Sequence, residues 1–301
     1  MGLFSRKNHF DVDGRTVIIT GGSQGMGRGS QRFHAISADV TKAEENTRLL
    51  EEVTQWNDGQ PPDIVWANAG SSHPTLFIDT PLDTLRSQME INYWAATYLA
   101  HATLYLWLKP TTSSSKPEHT GTAAAKPRHF IMTGSVACFV GLAGYAPYSP
   151  AKSALRSLAD TLRSELNLYN GYRRGHPEQG PAADVKIHCV VPGGIKSPGL
   201  EHENQIKHPV TKVLEEGDPT QTEDEVAVAA VKGLESGGYL ITTQFLGSAM
   251  RAGTLGGSPR NNWFVDTVFA WVVNVAWLFI GPDMEGKVFK YGKTNEVQLP
   301  S

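Results

Sequence analysis

Tyr148 and Lys152, four residues apart in Tyr148-Ser149-Pro150-Ala151-Lys152, share one face if this segment is helical. Ser135 lies thirteen residues upstream of Tyr148, at the end of the apolar run Ile131-Met132-Thr133-Gly134-Ser135. A tyrosine hydroxyl, with an ordinary pKa of about 10, exchanges protons poorly at neutral pH unless a nearby cation stabilises the phenolate. Lys152 is spaced to be that cation, and the Ser135 hydroxyl can donate a hydrogen bond to a substrate oxygen as charge builds on it. Together the three suit proton delivery to a carbonyl during hydride transfer. A Tyr and a Lys at helical spacing are also common on solvated helices, so the surrounding segments have to decide between the two readings.

Those segments come in the order that a doubly wound nucleotide-binding sheet requires. Thr16-Val17-Ile18-Ile19-Thr20 is a β-branched run, followed by the glycine-rich turn Gly21-Gly22-Ser23-Gln24-Gly25-Met26-Gly27. Such a turn lets the backbone approach a pyrophosphate and offers it amide hydrogens. Asp63-Ile64-Val65-Trp66-Ala67-Asn68-Ala69-Gly70 reads as a strand ending in small residues, and ligands sit beyond the carboxyl ends of such strands. Arg128 to Thr133 and Val185 to Val191 are further strands, the second followed by the rigid turn Pro192-Gly193-Gly194-Ile195. Pro81 to Leu108 reads as a long helix with Asn92 near its middle, Tyr148 to Tyr169 as the helix of the reacting pair, Glu223 to Leu234 as a late helix and Tyr239 to Thr243 as a last strand. Strands separated by helices predict an α/β fold with a parallel sheet covered on both faces.

With Thr20-Gly21 through Gly27, Asn68-Ala69-Gly70, Asn92, Ser135, Tyr148, Lys152 and Pro192-Gly193 in place, the chain resembles the short-chain dehydrogenase/reductase family over about residues 13 to 245. The resemblance implies a Rossmann-type doubly wound parallel sheet and a nicotinamide cofactor. It implies that Tyr148 donates the proton, that Lys152 lowers its pKa and holds the nicotinamide ribose, that Ser135 orients the carbonyl and that Asn92 supports a proton relay. It also assigns cofactor contacts to Gly21, Ser23, Gln24, Gly25, Met26, Gly27, Asp39, Val40, Asn68, Ala69, Gly70, Pro192, Gly193 and Ile195.

Composition narrows the field further. A net charge of −3 with scattered basic residues gives no electrostatic footprint for nucleic acid. Two cysteines, Cys138 and Cys189, exclude a disulfide scaffold and favour a reducing compartment; each is expected to be a small buried hydrophobe, with Cys138 able to border a substrate pocket. The ten histidines show no zinc spacing, so no metal is expected. Arg6 and Lys7 have no apolar stretch behind them, as a secretory signal would need, and Arg6 stands where a myristoylation motif needs Ser or Thr.

The segment from Trp263 to Ile280 has 18 residues, 15 of them apolar, near the lower limit for crossing a bilayer of about 30 Å. Trp263 and Trp277 suit membrane interfaces, whereas Asp266 and Asn274 argue against a simple span; packing on the domain or on a second copy is the competing expectation. The chain therefore divides into a reductase domain over 1–250, with a flexible Ser, Thr, Ala and Lys-rich insertion at 110–127, and a membrane-associated tail over 251–301. Residues 148–158, the stretch 198–204 and the apolar tail resemble the branch of the family that reduces the ketone of 3-ketodihydrosphingosine, a long-chain amino ketone, with NADPH in sphingolipid synthesis. That resemblance implies a lipid ketone substrate, membrane contact through 263–280, and the endoplasmic reticulum membrane with the catalytic domain facing the cytosol. A homo-oligomer is compatible with it. A reductase of steroid or retinoid ketones is an alternative within the family.

The sequence departs from the family in one place. Only twelve positions separate Gly27 from Asp39, where the family has the rest of its first helix, a second strand and another helix. A βαβ unit needs about 30 residues or more, so part of the first half is missing near residues 29–30. The run Phe33 to Ala38 then reads as a strand leading straight to Asp39. The residue that normally selects NAD or NADP is lost with the segment; Arg28 and Arg32 are nearby cations that also fit exposed loop positions. A third alternative follows, a non-catalytic membrane-associated chain with an incomplete cofactor site.

Overall fold

The computed structural model describes residues 8–22, 33–109, 125–176, 178–256 and 260–294. Five strands form one parallel sheet in the order β1-β2-β3-β4-β7: β1 is Val17–Ile19, β2 Ile64–Ala67, β3 Arg128–Thr133, β4 Val185–Val191 and β7 Leu240–Thr242. A separate parallel pair joins β5 (Gly194–Lys196) to β6 (Thr220–Thr222). β-branched and aromatic side chains fill the central strands, and all four side chains of β2 are buried. This is how a strand covered on both faces reads.

Alternation along the strands sorts their side chains between two cores. On one face Ile18, Val65, Phe130, Met132, Ile187, Cys189 and Leu240 pack with residues of α1 (Ala43–Trp56), α3 (Ala95–Trp107) and α4 (Ser149–Gly175). On the other, Ile64, Trp66, Ile131, Val190 and Ile241 pack with Phe10 and with Ala230 and Leu234 of α7 (Glu223–Glu235). Each fully buried aliphatic side chain contributes about 1.5–3 kcal/mol, so the three central strands dominate the stability of the sheet. The second face also buries two histidines that sequence spacing did not pair. His188 Nδ1 lies 2.7 Å from the Gly238 carbonyl and so carries the proton it donates; its Nε2 then accepts from His129 Nδ1 at 2.9 Å. Burial keeps both rings neutral, pushing His188 down to about 4 and His129 to about 2. Among the described residues no group of three or more His, Cys, Asp or Glu side chains could hold a metal ion.

Among the described residues, part of the first half of the doubly wound sheet is absent. β1 pairs only with β2, and its outer edge carries no strand among the described residues. Val17 and Ile19 are 41% and 39% exposed where a covering helix would bury them. The strand expected over Phe33–Ala38 does not form. Phe33 is exposed, and the segment is held from the side by α1: His34 Nε2 contacts Glu52 at 3.2 Å, its ring stacks on Trp56, and Arg48 donates to the Ser37 carbonyl at 2.6 Å. A β-prone run becomes a strand only when an edge pairs with it, and here side chains of α1 occupy its contacts instead. The glycine-rich turn beyond Gly22 and most of the 110–127 insertion lie outside the described residues.

The long helix expected over 81–108 is present in three parts: α2 (Leu82–Met89), a π-helical turn (Glu90–Trp94) and α3. The remaining helices are α5 (Pro198–Ile206), α6 (Pro209–Leu214), α8 (Phe245–Gly253) and α9 (Trp263–Thr294). α9 packs against α8 and α6. Its stretch Trp263–Met284, 22 residues, is long and apolar enough to cross a membrane and is only 11% buried. Asp266 is the exception, at 4% exposure. Its carboxylate accepts from Arg251 at 2.9 Å and from the amides of Asn261 and Asn262 at 2.8 and 3.1 Å, while Arg251 also donates to the Leu240 carbonyl at 3.0 Å. The acidic residue that interrupts the apolar run is thus the peg that fixes the start of α9 to α8 and β7. Asp266→Ala leaves the Arg251 guanidinium buried without its carboxylate and should cost about 3–5 kcal/mol. Chemical denaturation of the full chain checks this; a loss below about 1 kcal/mol would show that the pair is not a structural peg.

Candidate active site

The carboxyl ends of β1, β2 and β3 bring the predicted groups together through hydrogen bonds made by the hydroxyls of two threonines. Thr20 Oγ1, just past β1, accepts from the amides of Asn68 and Ala69 at 3.0 and 3.1 Å. Thr133 Oγ1, at the end of β3, donates to Asn68 Oδ1 at 3.0 Å and accepts from Trp66 Nε1 at 2.9 Å. Gly21 has φ +69°, and a Cβ there would stand 3.0 Å from Ala69 Cα, so both conformation and proximity demand glycine.

Ser135 caps the short 3₁₀ turn Val136–Cys138, its hydroxyl accepting from the Ala137 amide at 3.3 Å. Tyr148 is the N-cap of α4, with Pro150 in the first turn where its missing N–H costs nothing. The Lys152 amide bonds the Tyr148 carbonyl at 3.3 Å, closing the turn that aligns the two side chains. Lys152 is 3% exposed, and its ammonium donates to the Thr133 carbonyl at 2.9 Å and lies 5.6 Å from the Tyr148 ring centre. Burial depresses its pKa to about 8, weakly opposed by the neighbouring thiols. Tyr148 also bonds Ser135, yet its pKa is raised: burial outweighs that bond, and the Glu203 carboxylate adds to the rise. In this structure the phenol is held protonated, the form a proton donor needs.

Asn92 sits in the π-helical turn, where the Ala95 amide reaches back to the Glu90 carbonyl. Such turns are frequent at functional sites because they redirect one side chain without ending the helix. The Asn92 amide donates to the Ser71 carbonyl at 2.7 Å and to the Gln88 carbonyl at 3.0 Å, and its oxygen accepts from the Ser71 amide at 3.2 Å. A Cβ on Gly70 would stand 2.9 Å from Asn92 Oδ1 and 3.3 Å from Lys152 Nζ, so Asn92, Gly70 and Lys152 converge at one point.

Pro192, Gly193 and Ile195 complete this end. The Pro192 carbonyl accepts from the Val136 amide at 3.0 Å, tying the turn to the Ser135 segment, and Ile195 lies in β5. Asp39 and Val40 precede α1. The Asp39 carboxylate is bound by the Thr41 hydroxyl and amide at 2.6 and 3.1 Å, and the Val40 carbonyl accepts from Asn46 at 2.8 Å, so neither is engaged with the reacting cluster. Ser23, Gln24, Gly25, Met26 and Gly27 lie outside the described residues. Cys138 and Cys189 are buried, and burial pushes both thiols up, Cys138 to about 11. Cys138 also borders an open cleft of about 620 Å³ with Phe139, Leu142 and Tyr145. The residues sequence reasoning missed, Thr20 and Thr133 as organisers and Glu203 as a neighbour of Tyr148, act across the fold.

The family model for short chain dehydrogenase matches residues 28–207. The chain belongs to that family. This short-chain dehydrogenase is 44% identical to a 3-ketodihydrosphingosine reductase of Aspergillus fumigatus, covering 97% of this chain and 88% of the relative. It is 37% identical to one of Neurospora crassa, covering 97% and 86%. The Aspergillus match extends over 330 aligned positions, more than this chain's 301 residues, so the relative has positions with no counterpart here. Among solved structures, a short chain dehydrogenase from Burkholderia cenocepacia in complex with NADP aligns with TM-score 0.58 at 17% identity, covering 81% of this chain and 94% of that one. A 7α-hydroxysteroid dehydrogenase complexed with NADH and 7-oxo glycochenodeoxycholic acid aligns with TM-score 0.58 at 18% identity, covering 80% and 96%. These two share the fold.

The enzyme is an NAD(P)-dependent oxidoreductase, and its residues fit the two ends of that cofactor unequally. At the nicotinamide end, the Lys152 ammonium, which spends one donor on the Thr133 carbonyl, is suited to the hydroxyls of a ribose. At the adenosine end, no strand flanks β1 among the described residues to end at the second ribose. Gly70→Ala should displace Asn92 and Lys152 together, costing about 1–3 kcal/mol of stability. Cofactor affinity should fall as well. Unchanged melting and unchanged cofactor affinity in this variant would refute the convergence.

Proposed function

We propose that this short-chain oxidoreductase reduces the 3-keto group of 3-ketodihydrosphingosine to dihydrosphingosine with NADPH, Tyr148 giving the proton. The observation that carries the reading is 44% identity across 97% of the chain to a relative named for that reaction, over a span that includes the Ser135, Tyr148 and Lys152 cluster. NADPH, when bound, supplies hydride to the carbonyl carbon. Ser135 donates a hydrogen bond to the carbonyl oxygen and holds it toward Tyr148. As negative charge grows on that oxygen, the Tyr148 hydroxyl transfers its proton, and the Lys152 ammonium, 5.6 Å from the ring centre, stabilises the resulting phenolate. Asn92, fixed by Ser71 and Gln88 and close to Lys152 at Gly70, supports the relay that returns the proton.

A second reading, a chain that has lost cofactor binding, rests on the edge of β1, which no strand flanks among the described residues. NADPH titration with turnover of the lipid ketone separates the two. We expect binding and reduction by the native chain, and in Tyr148→Phe binding retained with turnover reduced about a hundredfold or more. Turnover surviving in that variant would rule out Tyr148 as donor. The pH profile carries the sign of Lys152. Its depressed pKa leaves the ammonium present below about 8, so kcat should fall as pH rises through about 8. A kcat that is flat from pH 7 to 10 would count against the assignment.

The same reading places the substrate in a bilayer, at the endoplasmic reticulum with the catalytic domain on the cytosolic side. The Trp263–Met284 stretch, about 33 Å long at 1.5 Å per residue, supports membrane contact through 263–280. Each methylene of a lipid tail adds about 0.8 kcal/mol to its membrane affinity, so an enzyme for such a substrate gains by residing there. The full chain should float with phosphatidylcholine vesicles and a chain ending at residue 256 should not. Equal flotation of both would remove the tail from the account.

A further inference from the structure

The turn that carries Tyr148 into α4 is held from outside by a cluster that takes no part in the proton transfer. Tyr145 opens that turn. Its carbonyl accepts from the amides of Tyr148 and Ser149 at 3.0 and 2.8 Å, and its own amide donates to the Leu142 carbonyl at 3.1 Å. The rings of Tyr145 and Tyr148 stand 6.1 Å apart, within aromatic contact. Tyr145 is buried, and its hydroxyl donates to Glu215 Oε1 at 2.6 Å. Glu215 Oε2 accepts from the buried Lys207 ammonium at 2.6 Å, and that ammonium also lies 5.9 Å from the centre of the Tyr145 ring. Lys207 and Glu215 flank α6, as the C-caps of α5 and α6. Between them Thr211, fully buried, donates to the Ala143 carbonyl at 2.8 Å. Gly144 separates the two attachments; it has φ +97°, and a Cβ there would overlap Thr211 Oγ1.

A buried lysine, its carboxylate and a phenol are costly to bring together unless they satisfy one another, and here they do. Their bonds end on the residue whose carbonyl fixes the Tyr148 backbone. A tyrosine oxygen stands at the far end of a rigid ring, so a small rotation of that backbone is magnified at the hydroxyl. Misplacing a reacting atom by about 1 Å can cost about a hundredfold in rate. We propose that Tyr145 is a positioning residue for the proton donor, clasped to α6 through Glu215, Lys207 and Thr211 so that the Tyr148 hydroxyl stays aimed at the carbonyl oxygen. Tyr145 makes and breaks no bond in the reaction and acts through Tyr148. The proposal rests on the reading that Tyr148 gives the proton.

Tyr145→Phe tests it, because this change keeps the ring, leaves Glu215 its lysine and removes only the hydroxyl. In the full chain in detergent micelles, with NADPH and 3-ketodihydrosphingosine, kcat should fall about tenfold while KM and NADPH affinity change by less than about twofold. The solvent deuterium isotope effect on kcat should rise, because a misaimed donor makes proton transfer more rate-limiting. Thr211→Val removes the second attachment and should act in the same direction, and Thr211→Ser, which restores the hydroxyl, should recover the rate. Amide hydrogen exchange at Tyr148 and Ser149 should be about tenfold faster in Tyr145→Phe, with exchange in β3 and β4 unchanged. Lost rate with an unchanged isotope effect would show a smaller folded fraction instead of a misaimed donor, and would overturn the proposal. Unchanged exchange at those two amides would overturn it as well. Faster exchange there in a chain that reduces no ketone would support the clasp and overturn the catalytic reading. Turnover abolished by Tyr148→Phe and untouched by Tyr145→Phe would do the reverse.

Discussion

Keeping an ammonium inside the protein is the constraint on which the rest of this site depends. Lys152 is almost fully buried, and a buried charge with too few partners is driven toward neutrality. The depression to about 8 shows how far that has gone: the group is still mostly charged at neutral pH, but by a small margin. What holds it charged is a carbonyl at the end of β3, offered because the chain turns there toward Ser135. The glycine at position 70 belongs to the same arrangement, since any side chain would press on both Lys152 and Asn92. Sheet ends, a π-helical turn and the first turn of α4 are therefore arranged around one cation.

The half-wound sheet shows what this arrangement does and does not require. The reacting cluster draws on β1, β2, β3 and α4, and each is firmly placed, because β2 and β3 are interior strands with both neighbours present. Among the described residues no strand flanks the outer side of β1, away from the chemistry, and Val17 and Ile19 are partly exposed there. An unpaired strand edge is a template for unwanted pairing.

Much of this was legible in the sequence where the signal is local. Strands β3 and β4 have the expected bounds because each is a continuous buried run between polar turns, and Tyr148 with Lys152 needed only helical spacing. Phe33–Ala38 was misread for the same reason that the others were read correctly. Its composition is that of a strand, but a strand is a property of two segments, and the second was missing. The π-helical turn at Asn92 leaves no mark in composition, being a slip of backbone bonds set by packing. The His129 and His188 pair joins residues far apart in the chain, and spacing carries no trace of it. Asp266 was noticed as an anomaly, yet only the position of Arg251 shows that it is an anchor.

A physical route also connects the apolar helix to the reacting groups. α9 packs on α6, and Thr211 of α6 donates to the Ala143 carbonyl at 2.8 Å, in the loop that leads through Tyr145 to Tyr148. The Lys207, Glu215 and Tyr145 bonds fasten that loop to both sides of α6. If α9 lies at a bilayer, α6 and the loop from Gly141 to Tyr145 are the part of the domain next to it, and the apolar cleft beside Cys138 opens in that same region. A lipid ketone leaving the membrane would then meet apolar surface first and the Tyr148 hydroxyl last. That order suits a molecule with a long apolar tail and a reactive head. The peg formed by Asp266 and Arg251 bears on that geometry, because it sets where α9 stands relative to α8 and β7.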